Sequence, residues 1–533
     1  MTTNEDAAAG HSDPSETGSP RSSWRSTALA KGLAGILSVA VALGIGELMA
    51  VPFGPSTSPF FAVGSTTVDR SPAWAREFAI TTFGTDDKAA LFIGMSVLIV
   101  VFAAIAGLVE RPGRPFGSGV LIALGLAGVY AAVSRPGASA LDALPTIVGL
   151  VAGLVALRLL THSARELDGV SRTRAGVSRR RFLVLAGTAA AVALAAGAAG
   201  RHLAGSIADA VRNRAAFTVP FVVPRNRAAA VAAGTDLAIP GATPFITGND
   251  AFYRIDTALQ VPRLTTDDWS LRIHGMVERE ITVRWADLIA RTPIERTITL
   301  TCVSNEVGGE LAGTATWVGY PMAELLDEAG VSADADMLLS TSTDGFTVGT
   351  PIAVLRDGRD ALLAVAMNGQ PLPFEHGYPV RQVVPGLYGF VSATKWVVDW
   401  EVTRFDRAQA YWTRRGWAEQ APVKTASRID VPASFARIPA GEVMVAGTAW
   451  AQHRGISRVQ VRVDDGPWTE ATLTPQYSID TWRQWSWKWS ALPGNHTLQV
   501  RAIDGTGQLQ TEQRAQPIPD GASGWHTRQI TVT

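Results

Sequence analysis

The chain has almost no cysteine: Cys302 is the single thiol in 533 residues. That excludes an intramolecular disulfide framework, a Cys-rich zinc site and a Cys-ligated iron–sulfur cluster. The thiol is left as filler, a reactive group or a single thiolate ligand. Charge is also scarce, at 18% of residues, and Lys+Arg and Asp+Glu balance at 47 each. With zero net charge and no basic stripe beside aromatics, a nucleic-acid-binding role is excluded. At 47% hydrophobic residues, so is a polar disordered chain. No CxxCH haem site, cytochrome-like segment or flavin fingerprint occurs.

Tryptophan is rare in the first part, where only Trp24 and Trp74 precede residue 200 of the 16 in the chain. Residues 1–25 are rich in Ser, Thr, Asp and Glu and read as a disordered tail. Five apolar stretches follow, at about 28–50, 89–109, 117–134, 144–161 and 182–199. Each approaches the roughly 20 residues that a helix needs to cross a bilayer, so 26–200 reads as a five-helix transmembrane region. Glu47 is nearly the only ionisable residue within the spans and reads as interfacial. The bundle is therefore expected to anchor the chain rather than carry protons or ions.

Basic residues orient the bundle. Arg21, Arg25 and Lys31 lie at its start, Arg111 and Arg114 after the second span, and six arginines between Arg165 and Arg181 after the fourth. The 51–88 loop has no basic excess. The positive-inside rule puts the first three segments in the cytoplasm and everything after about residue 200 on the extracytoplasmic side of the cell membrane. The fifth span opens on Ser178-Arg179-Arg180-Arg181-Phe182-Leu183, which resembles the twin-arginine export signature S-R-R-x-F-L. Export by that route suits a domain that folds around a cofactor first.

After a Pro- and Ala-rich linker, 201–244, short strands alternate with turns and helices. The stretch 296–331 reads as a strand, a Gly-rich loop and an amphipathic helix, and Cys302 sits where strand gives way to loop. A side chain there can meet a ligand that approaches the backbone closely. By itself Cys302 could equally be buried filler or half of a nucleophilic pair, with His274, His376 or His453 as the base.

The ordered segments FYRIDTALQVPRLTTDDWSLRIHGMV (252–277), LTCVSNEVGG (300–309), TWVGYPMAELLDEAGV (316–331), MNGQPLPFEHGYPVRQVVPGLYG (367–389) and TKWV (394–397) carry more. Together they resemble the sulfite oxidase family of molybdenum–molybdopterin enzymes, over about 245–530. The resemblance implies an α+β molybdopterin domain over 245–420, with Cys302 as the catalytic thiolate ligand of molybdenum. A soft thiolate suits a high-valent metal that is also bound by sulfur. It further implies His376, Arg381 and Lys395 as donors to the pterin phosphate, with Thr394 beside them. Asn249, Tyr253 and Arg254 match the family's first cofactor-contacting stretch, and Arg254 also faces the substrate anion. Ser342 and Asp344 fall where further pterin contacts are expected, though a turn at Asp344-Gly345 explains them as well. Two departures stand out. Val365 or a near neighbour occupies the place of the active-site Tyr that animal and plant members carry, and Ile255-Asp256 replaces an Asn-His pair. The fold and cofactor survive these changes; sulfite as the substrate does not follow.

Residues 421–533 contain alternating strands separated by DDG, LPGN and DGTG turns. They resemble the family's immunoglobulin-like dimerisation β-sandwich, which implies a homodimer. Trp485, Trp487 and Trp489 alternate along one strand and read as packing rather than a stacking platform. The expected function is sulfite-oxidase-like oxygen-atom transfer on sulfite or a related small anion, with electrons passed to an external acceptor such as a cytochrome or a membrane redox partner. The alternatives are an S-oxide or N-oxide reductase on the same cofactor, or a cofactor-free membrane-anchored binding or adhesion module.

Overall fold

The computed structural model describes residues 20–53, 57–72, 74–75, 78, 82–83, 87–134, 138–166, 175–203 and 207–533. The chain divides into two compact units, Met1–Gly205 and Ser206–Thr533.

The described α-helices of the first unit are α1 (Pro20–Ala50), α2 (Pro59–Arg70), α3 (Asp87–Val109), α4 (Phe116–Val133), α5 (Leu144–Arg165) and α6 (Ala175–Leu203), and the two-residue strands β1 (Glu110–Arg111) and β2 (Arg114–Pro115) pair between α3 and α4. Within them, Ala28–Phe53, Lys88–Val109, Phe116–Val133, Ala140–Arg165 and Arg179–Arg201 are long and apolar enough to cross a membrane. All five expected apolar stretches are thus helical. Glycines set the spacing of α1 from its neighbours. A Cβ on Gly35 would strike the Ala103 carbonyl of α3, and one on Gly149 of α5 would strike the Ala42 carbonyl of α1. Small residues let apolar helices approach this closely where no hydrophobic effect drives them together. Ile93, Val97 and Leu98 of α3 point outward and are more than half exposed, which suits lipid better than water.

Two details differ from the sequence reading. The first 19 residues of the expected tail lie outside the described residues, but α1 already begins at Pro20. The expected 51–88 loop contains α2, which Pro59 opens at its first turn and Ser71-Pro72 ends. Glu47, near the end of the first span, accepts from the Ser58 hydroxyl at 2.5 Å. Of the basic loop after the fourth span, residues 167–174 also lie outside the described residues.

The second unit opens with α7 (Ile207–Ala216), inside the stretch expected to be only a linker. Two sheets follow, the first antiparallel throughout and the second mixed. One holds β5 (Ile294–Thr301), β6 (Ala312–Pro321), β9 (Leu362–Met367) and β10 (Gln370–Pro371) in the order β10-β9-β6-β5, with β11 (Arg381–Val383) also on β9. The other holds β3 (Ser270–Gly275), β4 (Ile281–Arg284), β7 (Met337–Ser342), β8 (Thr347–Pro351) and β12 (Val397–Thr403) in the order β4-β3-β12-β7-β8, with β12 pairing parallel to β3. Between them a core forms around Trp269, Tyr320, Leu325, Leu363 and Trp400, all fully buried. The helix Met322–Ala329 contributes Leu325 and Leu326 to it and stops at left-handed Gly330.

The last part is two sheets over one core. β13 (Ala426–Val431), β15 (Gly441–Trp450), β18 (Thr472–Leu473) and β19 (Arg483–Ala491) run in the order β13-β15-β19-β18. β14 (Arg437–Ile438), β16 (Ile456–Val463), β17 (Thr469–Glu470), β20 (Gly494–Asp504) and β21 (His526–Val532) run in the order β14-β21-β20-β16-β17. Val445, Trp485 and Trp489 from the first sheet share a core with Val459, Val500 and Ile530 from the second, and Trp487 packs against its edge. The alternating tryptophans of β19 are therefore packing residues.

Candidate active site

β5 delivers Cys302. The strand is a buried run of β-branched and apolar residues, and it ends because the chain turns sharply after it. The Cys302 N–H donates to the Leu311 carbonyl at 2.9 Å, and Asn305 N–H donates back to the Cys302 carbonyl at 3.1 Å. The Asn305 side chain closes the loop by accepting from Leu311 N–H at 2.8 Å. The last sheets brace this turn. Gln452 donates to the Thr301 hydroxyl at 2.8 Å, Arg428 donates to the Gly309 carbonyl at 2.6 Å, and the His526 ring lies where any side chain on Gly308 would be.

The thiol lines a cavity of about 900 Å³, open solvent at its mouth included, with Tyr253, Ser342, Asp344, His376, Arg381 and Lys395. Burial pushes the Cys302 thiol up, opposed by hydrogen bonds from Ser304 and by the Lys395 charge. Burial, with Cys302 close by, also pushes the Tyr253 phenol up, which keeps it protonated.

The segment Phe374–His376 is a short turn ended by Gly377 at φ 109°. A Cβ there would press on Arg381 Cβ at 3.0 Å and on Lys395 at 3.2 Å, so only glycine lets these three residues converge. His376 is held neutral, its pKa lowered to about 4 by burial and by the Arg381 and Lys395 charges. Its Nε2–H therefore donates to the Asn249 carbonyl at 3.1 Å. Arg381 is buried, with its guanidinium 5.1 Å from the Trp317 ring centroid and Nη1 donating to the His376 carbonyl at 3.2 Å. Burial lowers its pKa to about 10. Among the described residues it forms no ion pair with a carboxylate. Lys395 enters through the left-handed Trp396, φ 51°, whose indole donates to the Phe374 carbonyl at 3.0 Å and locks the strained backbone. Lys395 Nζ donates to the Glu375 carbonyl at 2.9 Å and to Asp256 at 3.0 Å, and burial lowers its pKa to about 8.

Three expected residues stand apart from the cavity wall. Thr394 is buried with its hydroxyl 2.7 Å from that of Ser340. Asn249 contributes its backbone carbonyl to His376 while its side chain accepts from Asn368. Arg254 is 41% exposed and donates to Asp256 at 2.9 Å. Of the possible bases for Cys302, His274 and His453 pair with Asp399 and Asp480 away from the cavity, and only His376 lines it. Val365 is fully buried in the core, so β9 brings nothing to the site at that position. Phe346, Phe390, Trp412 and Trp417 line the cavity without having been expected there, as does Asp256.

A molybdopterin-type group fits this donor set. Among the described residues Arg381 is a buried cation without a carboxylate and Ser342 Oγ is a buried hydroxyl without a hydrogen-bond partner, and the thiol faces the same space.

Known proteins point the same way. The model of the oxidoreductase molybdopterin binding domain matches residues 258–412. Human mitochondrial sulfite oxidase is 29% identical over 350 residues, covering 54% of this chain and 62% of that protein. The oxidoreductase YuiH of Bacillus subtilis is 30% identical over 149 residues, covering 28% of this chain and 72% of that protein. The solved sulfane dehydrogenase SoxCD of Paracoccus pantotrophus is 24% identical, covering 54% of this chain and 82% of that one with a TM-score of 0.48. The chain belongs to the sulfite oxidase family of molybdopterin oxidoreductases. It spans only about 62% of the length of the mammalian sulfite oxidases that it matches.

Proposed function

We propose that this chain is a membrane-anchored, extracytoplasmic molybdenum–molybdopterin oxidoreductase that catalyses oxygen-atom transfer. The observation that carries the reading is the convergence of the sole thiol with buried Arg381, Lys395 and neutral His376 on one cavity. Cys302 would ligate the metal, and Arg381, Lys395 and His376 would hold the phosphate end of the pterin, with Ser342 and Asp344 along its edge. When bound, the cofactor supplies two-electron oxygen-atom chemistry with water as the oxygen partner. The chain's own part is to exclude bulk water, to fix the thiolate and to hold protons. Protonated Tyr253 presents a donor beside Cys302, and burial of the clamp strengthens each charge-assisted bond.

Two substrate readings rest on different observations. Arg254, paired with the cavity residue Asp256, favours sulfite or a related small oxyanion, oxidised with electrons passed to an external acceptor. Asp256, which engages both Arg254 and Lys395, favours reduction of a neutral S-oxide or N-oxide. The terminal pair of sheets would serve as the immunoglobulin-like dimerisation domain from about residue 421, after a molybdopterin domain over 245–420. Sulfite-dependent reduction of a dye, set against anaerobic oxidation of reduced dye by candidate oxides, tests the direction. The Cys302→Ser variant should be inactive in both; normal turnover in that variant would overturn the assignment.

A further inference from the structure

We propose that Asp256 and the aromatic wall beside it make this cavity select an uncharged substrate with an apolar body over small anions such as sulfite. The inference rests on the oxidoreductase reading above and names the substrate class of that same cavity.

Charge carries the first half of the argument. The cavity wall contains two cations, Arg381 and Lys395, and two carboxylates, Asp256 and Asp344, while His376 is neutral. If Arg381 and Lys395 are used on the pterin phosphate, both cations of the cavity wall are engaged, and Arg254, which stands apart from the wall, already donates to Asp256 at 2.9 Å. The Asp256 side chain is only 5% exposed, so its charge acts with little screening by water. An incoming dianion would meet a carboxylate in the place where an anion-binding site needs an unpaired cation. Like charges facing each other across such a site weaken binding.

Apolar surface carries the second half. Phe346, Phe390, Trp412 and Trp417 line the cavity, and Ile255 adds an aliphatic edge that is 47% exposed. The rings form one continuous wall: Phe346 meets Tyr411 at 5.3 Å, Tyr411 meets Trp412 at 5.1 Å, Trp412 meets Trp417 at 5.9 Å and Trp417 meets Phe390 at 5.6 Å between centroids. A substrate as small and hydrated as sulfite would leave this wall facing water. A flat or branched organic group on the reacting atom would cover it.

The test is equilibrium binding to the full-length, cofactor-loaded protein, with methyl phenyl sulfone as an unreactive neutral probe and sulfate as an unreactive anion. Wild type should bind the sulfone at least tenfold more tightly than sulfate. Asp256→Asn should tighten sulfate about tenfold, as expected for removing one charge at close range, and leave the sulfone within about twofold. Trp417→Ala should weaken the sulfone about tenfold, the loss of roughly 55 Å² of apolar contact, without changing sulfate. Sulfate binding to wild type as tightly as the sulfone, or unchanged in Asp256→Asn, would overturn the inference. If Asp256→Asn does not fold, Trp417→Ala decides, and unchanged sulfone binding overturns the proposal. Absence of molybdenum and pterin from the wild-type protein would overturn the oxidoreductase reading and the inference with it. A loaded protein that prefers sulfate would overturn the inference alone.

Discussion

Cys302 supports the last turn of a buried strand without filling a core position that a slightly smaller side chain would leave empty. Cys302→Ser should therefore keep the thermal stability of the protein within a few degrees while abolishing turnover, read by unfolding and activity on the same preparation. His526 gives a second prediction of a different kind. Burial, with Arg528, Arg428 and Arg514 nearby, lowers its pKa from 6.5 to about 3, and its Nδ1 accepts from Ile429 N–H at 3.0 Å. Between those two values the unfolded chain takes up a proton that the folded one refuses. Stability is then full above about pH 6.5 and falls as pH is lowered, by ~1.4 kcal/mol per pH unit from this residue. Denaturant unfolding between pH 6 and pH 4 should approach that slope, and His526→Gln should flatten it. At this scale the family-like motifs pointed to Cys302, His376, Arg381 and Lys395, and the fold brings those four to one cavity. The motifs could not show that Asp256 engages Lys395, since that pair joins residues 139 positions apart and forms only in the fold. The aromatic wall was hidden for the same reason: Phe346, Phe390 and Trp417 come from three separate segments, the second of them the short 3-10 helix Gly389–Val391.

Elements of the first unit approach each other at glycines. Gly35→Leu should force α1 and α3 apart, because its Cβ would meet the Ala103 carbonyl and not a movable side chain. The expected result is loss of the monodisperse detergent-solubilised protein in size-exclusion chromatography, whereas Gly94→Leu, with open space around it, should be tolerated. In the terminal sheets, Trp485→Ala removes a fully buried indole and should cost ~3–5 kcal/mol in denaturant unfolding. The apolar spans were legible because length and composition alone define them. α2 was not, since its 12 residues are too short to span a bilayer and lie among turn-forming Ser, Thr and Pro. α7 escaped notice in a connector whose Ala and Arg content resembles a linker as much as a helix.

For the whole molecule, the proposal ties export, anchoring and cofactor loading together. Replacing Arg179 and Arg180 with lysine should leave a C-terminal alkaline phosphatase fusion at least several-fold less active if the twin-arginine route is used, with no change in total protein. An unchanged signal would show that the arginines serve only as an anchor flank. The central claim is that this fold carries molybdenum and pterin on its single thiol. Its most direct test is the metal and pterin content of the detergent-purified, full-length protein, by elemental mass spectrometry and oxidised-pterin fluorescence, beside Cys302→Ser. The account predicts about one molybdenum and one pterin per chain in the wild type, with molybdenum reduced in the variant. A wild-type protein without either, from a molybdenum-replete host that makes the pterin, would contradict it.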